Sequence, residues 1–151
     1  MNLTVKDVED AIVSALAPML VQNGGKARSV VAYGGQFEKA VAGEGQLRLV
    51  MPAALVAYIG AEYDHSSAPT SERTMTFRVY HASANPAGER ARRHEAIELM
   101  EASKNLLNGA TLNLAVTPLE LIRESSVPAG AALCVYSADY RTSTIEDATL
   151  Y

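Results

Sequence analysis

Three histidines, one cysteine and two glycine pairs are the residues on which a chemical centre could be built in this 151-residue chain. Asp64, His65 and Ser66 carry the residue types of a hydrolytic triad. They are consecutive, however, and a base and a nucleophile must converge in space from separate positions. His81 and His94 each lack a second ligand at helical spacing and a neighbouring cysteine, so a zinc site has no donor set. Both read as surface or interface histidines. Cys134 lies in an apolar stretch and reads as a buried structural thiol rather than a nucleophile. A single cysteine supports neither an intramolecular disulfide nor a thiolate metal site. Gly24-Gly25-Lys26 lacks the earlier glycine and the following Ser or Thr of a phosphate loop. Tyr33-Gly34-Gly35-Gln36 reads as a turn. No catalytic, cofactor or metal residues are assigned, and the expectation is a protein that is not an enzyme.

Arg90, Arg92 and Arg93 form the one tight basic cluster. Its plain reading is a solvated helix start; its sharper reading is contact with an acidic neighbour subunit or with DNA phosphate. The net charge of -4, from 13 basic and 17 acidic side chains, disfavours nucleic acid as the main ligand. Hydrophobic residues at 48% and charged residues at 20% describe a chain able to fill a core, which rules out disorder throughout. Without a basic, then apolar, leader or an apolar run of about 20 residues, neither export nor membrane insertion is expected.

The elements that would position these residues follow from periodicity. Val5, Val8, Ile12, Leu16 and Met19 recur at helical spacing over residues 4–21, with Thr4 as N-cap, Asp7 in the first turn and Pro18 disturbing the last turns. Residues 29–33 and 46–51 read as strands, and 36–41 as one or two helical turns. Residues 53–63 are ambiguous but lean to strand through Val56, Tyr58 and Ile59. In residues 74–82, Met75, Phe77 and Val79 alternate with Thr76, Arg78 and Tyr80, the clearest strand pattern in the chain. Residues 88–108 form a second long helix with an unusually basic start. Residues 119–127 and 133–142 pair as a hairpin across Pro128-Ala129-Gly130. The polar stretch 62–73, with Pro69 inside it, reads as a long loop, and 143–151 as a polar tail. The expected fold is α+β: one domain over 1–151, with a mainly antiparallel sheet of four or five strands and two long helices on one face.

The order of these elements, and four strings within them, resemble a known family. The strings are Pro52-Ala-Ala-Leu-Val-Ala-Tyr-Ile-Gly60, Thr74-Met-Thr-Phe-Arg-Val-Tyr-His81, Leu119-Glu-Leu-Ile-Arg-Glu124 and Val135-Tyr-Ser-Ala-Asp-Tyr-Arg141. The chain is similar, over nearly its whole length, to the Mu-like prophage tail family related to tail terminator (tail completion) proteins. That resemblance implies a structural virion protein assembled in the host bacterial cytoplasm. It would form a homo-oligomeric ring, usually a hexamer, on the head-proximal end of the tail tube. The ring would stop tube polymerisation and join the tail to the neck or head–tail connector, with DNA passing through unread and no membrane or cofactor involved. By analogy, loop 62–73 is the candidate contact segment, so the interface candidates are Asp64, His65, Glu72, Arg73, Arg90, Arg92 and Arg93. The other readings are a neck, head-completion or tube protein, or a small hydrolase using Asp64-His65-Ser66.

Overall fold

The computed structural model describes residues 2–34 and 49–147. Chain entry is fixed by a capping box. The Asp7 amide donates to Thr4 Oγ1 and the Thr4 amide to Asp7 Oδ2, each at 3.1 Å. Helix α1 runs from Val5 to Ala15 and buries Val8 and Ile12. The chain then tightens into two 3₁₀ turns, Ala17–Met19 and Val21–Asn23. Pro18 explains the change, because it has no amide to continue the α-helical ladder. The helix expected over 4–21 is thus one α-helix followed by a tighter, irregular stretch.

Five strands follow: β1 (Ser29–Ala32), β2 (Ala53–Asp64), β3 (Thr70–Ser83), β4 (Glu120–Val127) and β5 (Cys134–Asp147). Helix α2 (Glu89–Leu107) lies between β3 and β4 in sequence. The strands form one sheet in the order β1-β2-β3-β5-β4. Only β1 with β2 is parallel; the other neighbours are antiparallel. The α+β fold with a mostly antiparallel sheet and two helices agrees with the sequence expectation. The expected alternation also holds. Met75, Phe77 and Val79 are buried in the main core, while Arg78, on the opposite face, is not.

Both helices pack on one sheet face. The core there joins Val8, Ile12 and Leu16 of α1 and Leu99 and Leu107 of α2 to Val56, Phe77, Val79 and Tyr140 of the sheet. The opposite face carries a smaller cluster, Leu55, Tyr80, Ala82 and Val135, covered by Tyr33, Leu49, Met51 and Leu133. The Tyr33 and Tyr80 rings lie 4.7 Å apart there.

Two segments expected to be irregular are strand. The stretch 62–73 is not a loop: β2 continues through Asp64, β3 begins at Thr70, and only a tight turn lies between them. Tyr63 pairs with Arg73 and Asp64 with Glu72 in regular antiparallel register. Likewise, 143–147 is the end of β5 rather than a tail. Thr144 within it and Thr142 just before it are buried and donate their hydroxyls to the carbonyls of Ala115 and Thr117. The helical turns expected over 36–41 lie outside the described residues, as do 46–48 and 148–151. Residues 49–51, expected as the end of a strand, are irregular.

Candidate assembly surfaces

The β2–β3 hairpin tip is organised by its own polar groups. The Ser66 amide donates to Asp64 Oδ1 at 2.9 Å, which holds the Asp64 carboxyl below its ordinary value. His65 Nδ1 is 2.7 Å from Ser71 Oγ, and its ring stacks on Tyr63 at 5.9 Å. Asp64 therefore caps the turn through Ser66's backbone, and His65 faces Ser71 rather than the Ser66 hydroxyl. The three adjacent residues do not converge as a base, its orienting group and a nucleophile.

Arg73 is largely withdrawn from solvent. Its Nη1 donates to Glu146 Oε1 at 3.1 Å and its Nη2 to the Tyr58 hydroxyl at 3.4 Å. Its guanidinium lies 5.6 Å from the centre of the Tyr63 ring. This is a cross-strand clamp on the helix side of the sheet. Glu72 points to the opposite face and is exposed, as are Asp64 and His65.

Arg90, Arg92 and Arg93 lie on the first turns of α2, which starts beside the Ser83 end of β3. The hairpin tip lies at the other end of that strand, so the candidates form two groups rather than one. Arg92 donates to the carbonyls of Asn85 and Ala131, both at 3.2 Å. Arg93 Nε reaches the Tyr136 hydroxyl at 3.3 Å, which raises the arginine's already high pKa. Arg90 is exposed. A basic helix start opposes the helix dipole. Here Arg92 compensates by satisfying carbonyls of two connecting segments, and Glu89 places a carboxylate in the same turn.

His81, expected at the surface, is fully buried. Its Nε2 is 2.6 Å from Ser103 Oγ on α2 and its Nδ1 is 3.2 Å from the Tyr136 carbonyl. A neutral imidazole has one N–H. Nδ1 faces a carbonyl, which can only accept, and Nε2 faces the Ser103 hydroxyl, which also lies 2.9 Å from the Met100 carbonyl. Burial pushes this histidine down to about 4, against the smaller opposing pull of the Tyr136 carbonyl. The group is a polar rivet between sheet and helix. Cys134 is half-buried, and burial raises its thiol pKa. Lys26, beside the Gly24-Gly25 turn, is bound to Glu98 at 2.7 Å. Among the described residues, no three His, Cys, Asp or Glu side chains are grouped to hold a metal, and no helix is long and apolar enough to cross a membrane.

The sequence did not reveal the open face of the sheet, opposite the helices. Arg78 grips Asp139 with two hydrogen bonds, 2.7 and 3.1 Å, and Arg123 approaches the same carboxylate at 3.5 Å. Arg141 pairs with Glu120 at 3.0 Å. Bulges interrupt β2 at Ile59 and β4 at Ile122. Both isoleucines are exposed, at 46% and 41%, and both line one concavity of about 450 Å³ with Gly60, Thr76 and Arg141 on its floor. Ile145, 60% exposed, belongs to the same face through its pairing with Glu72. A bulge inserts an unpaired residue and re-aims its side chain. That is how two branched apolar residues come to stand beside a charged strip.

Sheet order and helix placement define an α+β fold that has a counterpart among solved structures. A chain from a structure titled "Virion of native gene transfer agent (GTA) particle" superposes with a TM-score of 0.62. The match has 14% identity and covers 97% of this chain and 100% of that one, a likeness of fold. The family model described as "Bacteriophage Mu, Gp37" matches residues 4–145, and the chain belongs to that family. No curated protein matches it.

Proposed function

We propose that the protein is a structural component of a phage virion, and within it the tail terminator. In this reading the whole chain acts as one domain, a subunit of a closed ring on the head-proximal end of the tail tube. The ring halts tube growth and presents the surface on which the neck docks. The observation that carries the proposal is the family match over residues 4–145, nearly the full chain. The shared fold with a chain of a gene transfer agent virion supports it.

Physical features favour a closed ring over an open polymer. Sheet edges invite pairing with further strands, and bulges are a common device for blunting them. Here β4, an outer strand, is bulged at Ile122. β2 is bulged at Ile59, just beyond the segment that β1 covers. Edges of this kind resist indefinite strand addition, so assembly falls to faces and ends, which can close around a symmetry axis. The polar rivet at His81 and the satisfied triad-like tip serve structure, which fits a role without catalysis. DNA would pass through the ring without being read.

The test is the mass of the purified protein in solution and its effect on tube length. A discrete oligomer that shortens tubes when added to polymerising tube subunits supports the proposal. Growth of long tubes from the pure protein would instead identify a tube subunit. A strict monomer that leaves tube length unchanged would refute the ring.

A further inference from the structure

The same sheet face that carries the bulged isoleucines also carries unneutralised acid. Register partners share a face, so Glu62 opposite Thr74, and Asp64 opposite Glu72, put three exposed carboxylates around the apolar residues. Glu62 itself lines the concavity with Ile59 and Ile122. The basic side chains of that face are turned to other carboxylates, Arg78 and Arg123 to Asp139 and Arg141 to Glu120. The result is an apolar centre with an acidic border. At the opposite end of β3, the start of α2 shows the reverse sign, with Arg90 and Arg93 exposed and Arg92 beside them, offset only by Glu89. Small apolar residues, Pro86, Ala87 and Ala131, are exposed next to those arginines. One chain thus holds both halves of a complementary pair, placed too far apart to meet within the chain.

We propose that the open face around Ile59 and Ile122 docks the start of α2 from a second copy of this chain. This contact is heterologous, one patch on another, and such contacts repeat head to tail until a ring closes. It rests on the ring reading above and names the surfaces that make the ring. The isoleucines supply the desolvated centre. The carboxylates and guanidiniums supply register and partner choice, which is the usual division of labour at an interface.

The experiment is a charge swap read by analytical ultracentrifugation, with circular dichroism to verify folding. Glu62→Lys/Glu72→Lys places lysines against arginines across the contact. Arg90→Glu/Arg93→Glu places glutamates against carboxylates. Arg92 is left intact because it holds two connecting segments. Each double variant is expected to weaken association by about tenfold or more, since like charges at an interface are costly. The chain carrying all four substitutions is expected to recover most of the wild-type association, because the signs again match. Ile59→Ser gives an independent reading and should weaken assembly without touching charge. A wild-type ring that both double variants form unchanged would overturn the docking contact while leaving the ring reading standing. So would four substitutions that recover nothing. Rings that form normally but no longer shorten tubes would assign the face to the tube protein, again overturning it. A wild-type chain that is only monomeric would overturn both readings.

Discussion

Acid should unfold this protein through one buried histidine before its carboxylates contribute. His81 is fully buried and neutral, with the Tyr136 carbonyl at Nδ1 and the Ser103 hydroxyl at Nε2. In the unfolded chain it takes up a proton near its ordinary value of 6.5; in the folded chain it resists until about pH 4. Between those values the unfolded state binds more protons, so stability falls as pH falls. The contribution is fully present above 6.5 and lost on the way down to about 4. That gap corresponds to about 3 kcal/mol, of which about 2 kcal/mol disappears between pH 6.5 and 4.5. Urea unfolding at pH 7, 6.5, 5.5 and 4.5, in wild type and His81→Gln, measures this. The variant will be less stable at neutral pH, but its pH slope in this window should be shallower by the same ~2 kcal/mol. Equal slopes in the two proteins would refute the assignment of a neutral, buried His81.

Arg78→Ala removes both hydrogen bonds to Asp139 and leaves the longer Arg123 contact. It should cost about 1.5–3 kcal/mol in urea unfolding, the usual range for hydrogen bonds to charged groups. Gly25→Ala would drive a methyl group into the Met19 backbone. A loss of at least about 1 kcal/mol, seen as a lower thermal midpoint, is expected because neither backbone segment can yield freely. His65→Ala should leave folding and ring formation intact, since the ring contacts only Ser71 and Tyr63 at the surface. A hydrolytic activity abolished by that substitution would revive the triad reading.

The parts of the fold legible in the sequence are those where one side of an element is buried and the other wet. Met75, Phe77 and Val79 announced β3, and Thr4 with Asp7 announced the start of α1. The β2–β3 arm was not legible, because Glu62, Asp64 and Glu72 give it a strand without a buried, alternating apolar face. Its order comes from cross-strand partners such as Arg73 and Glu146, 73 positions apart in sequence. The end of β5 was missed for a related reason. Thr142 and Thr144 point inward, as apolar residues would, but to reach carbonyls of the segment before β4. His81 read as a surface residue because its burial depends on Ser103, a partner that only the packing of α2 supplies. Among the candidate residues, the charged groups stand out in the sequence, and the fold places them at both ends of β3. The sequence could not show that Arg73 is spent on a clamp. Nor could it find Ile59 and Ile122, whose exposure depends on bulges that no local pattern encodes.

The most direct test of the whole account is electron microscopy of tail tubes assembled from their purified subunit in the presence of this protein. The account predicts a closed ring of this chain seated on one end only of each tube, with the tubes held short. Subunits decorating the tube wall, both ends occupied alike, or tubes of unaltered length with the protein free in solution would contradict it.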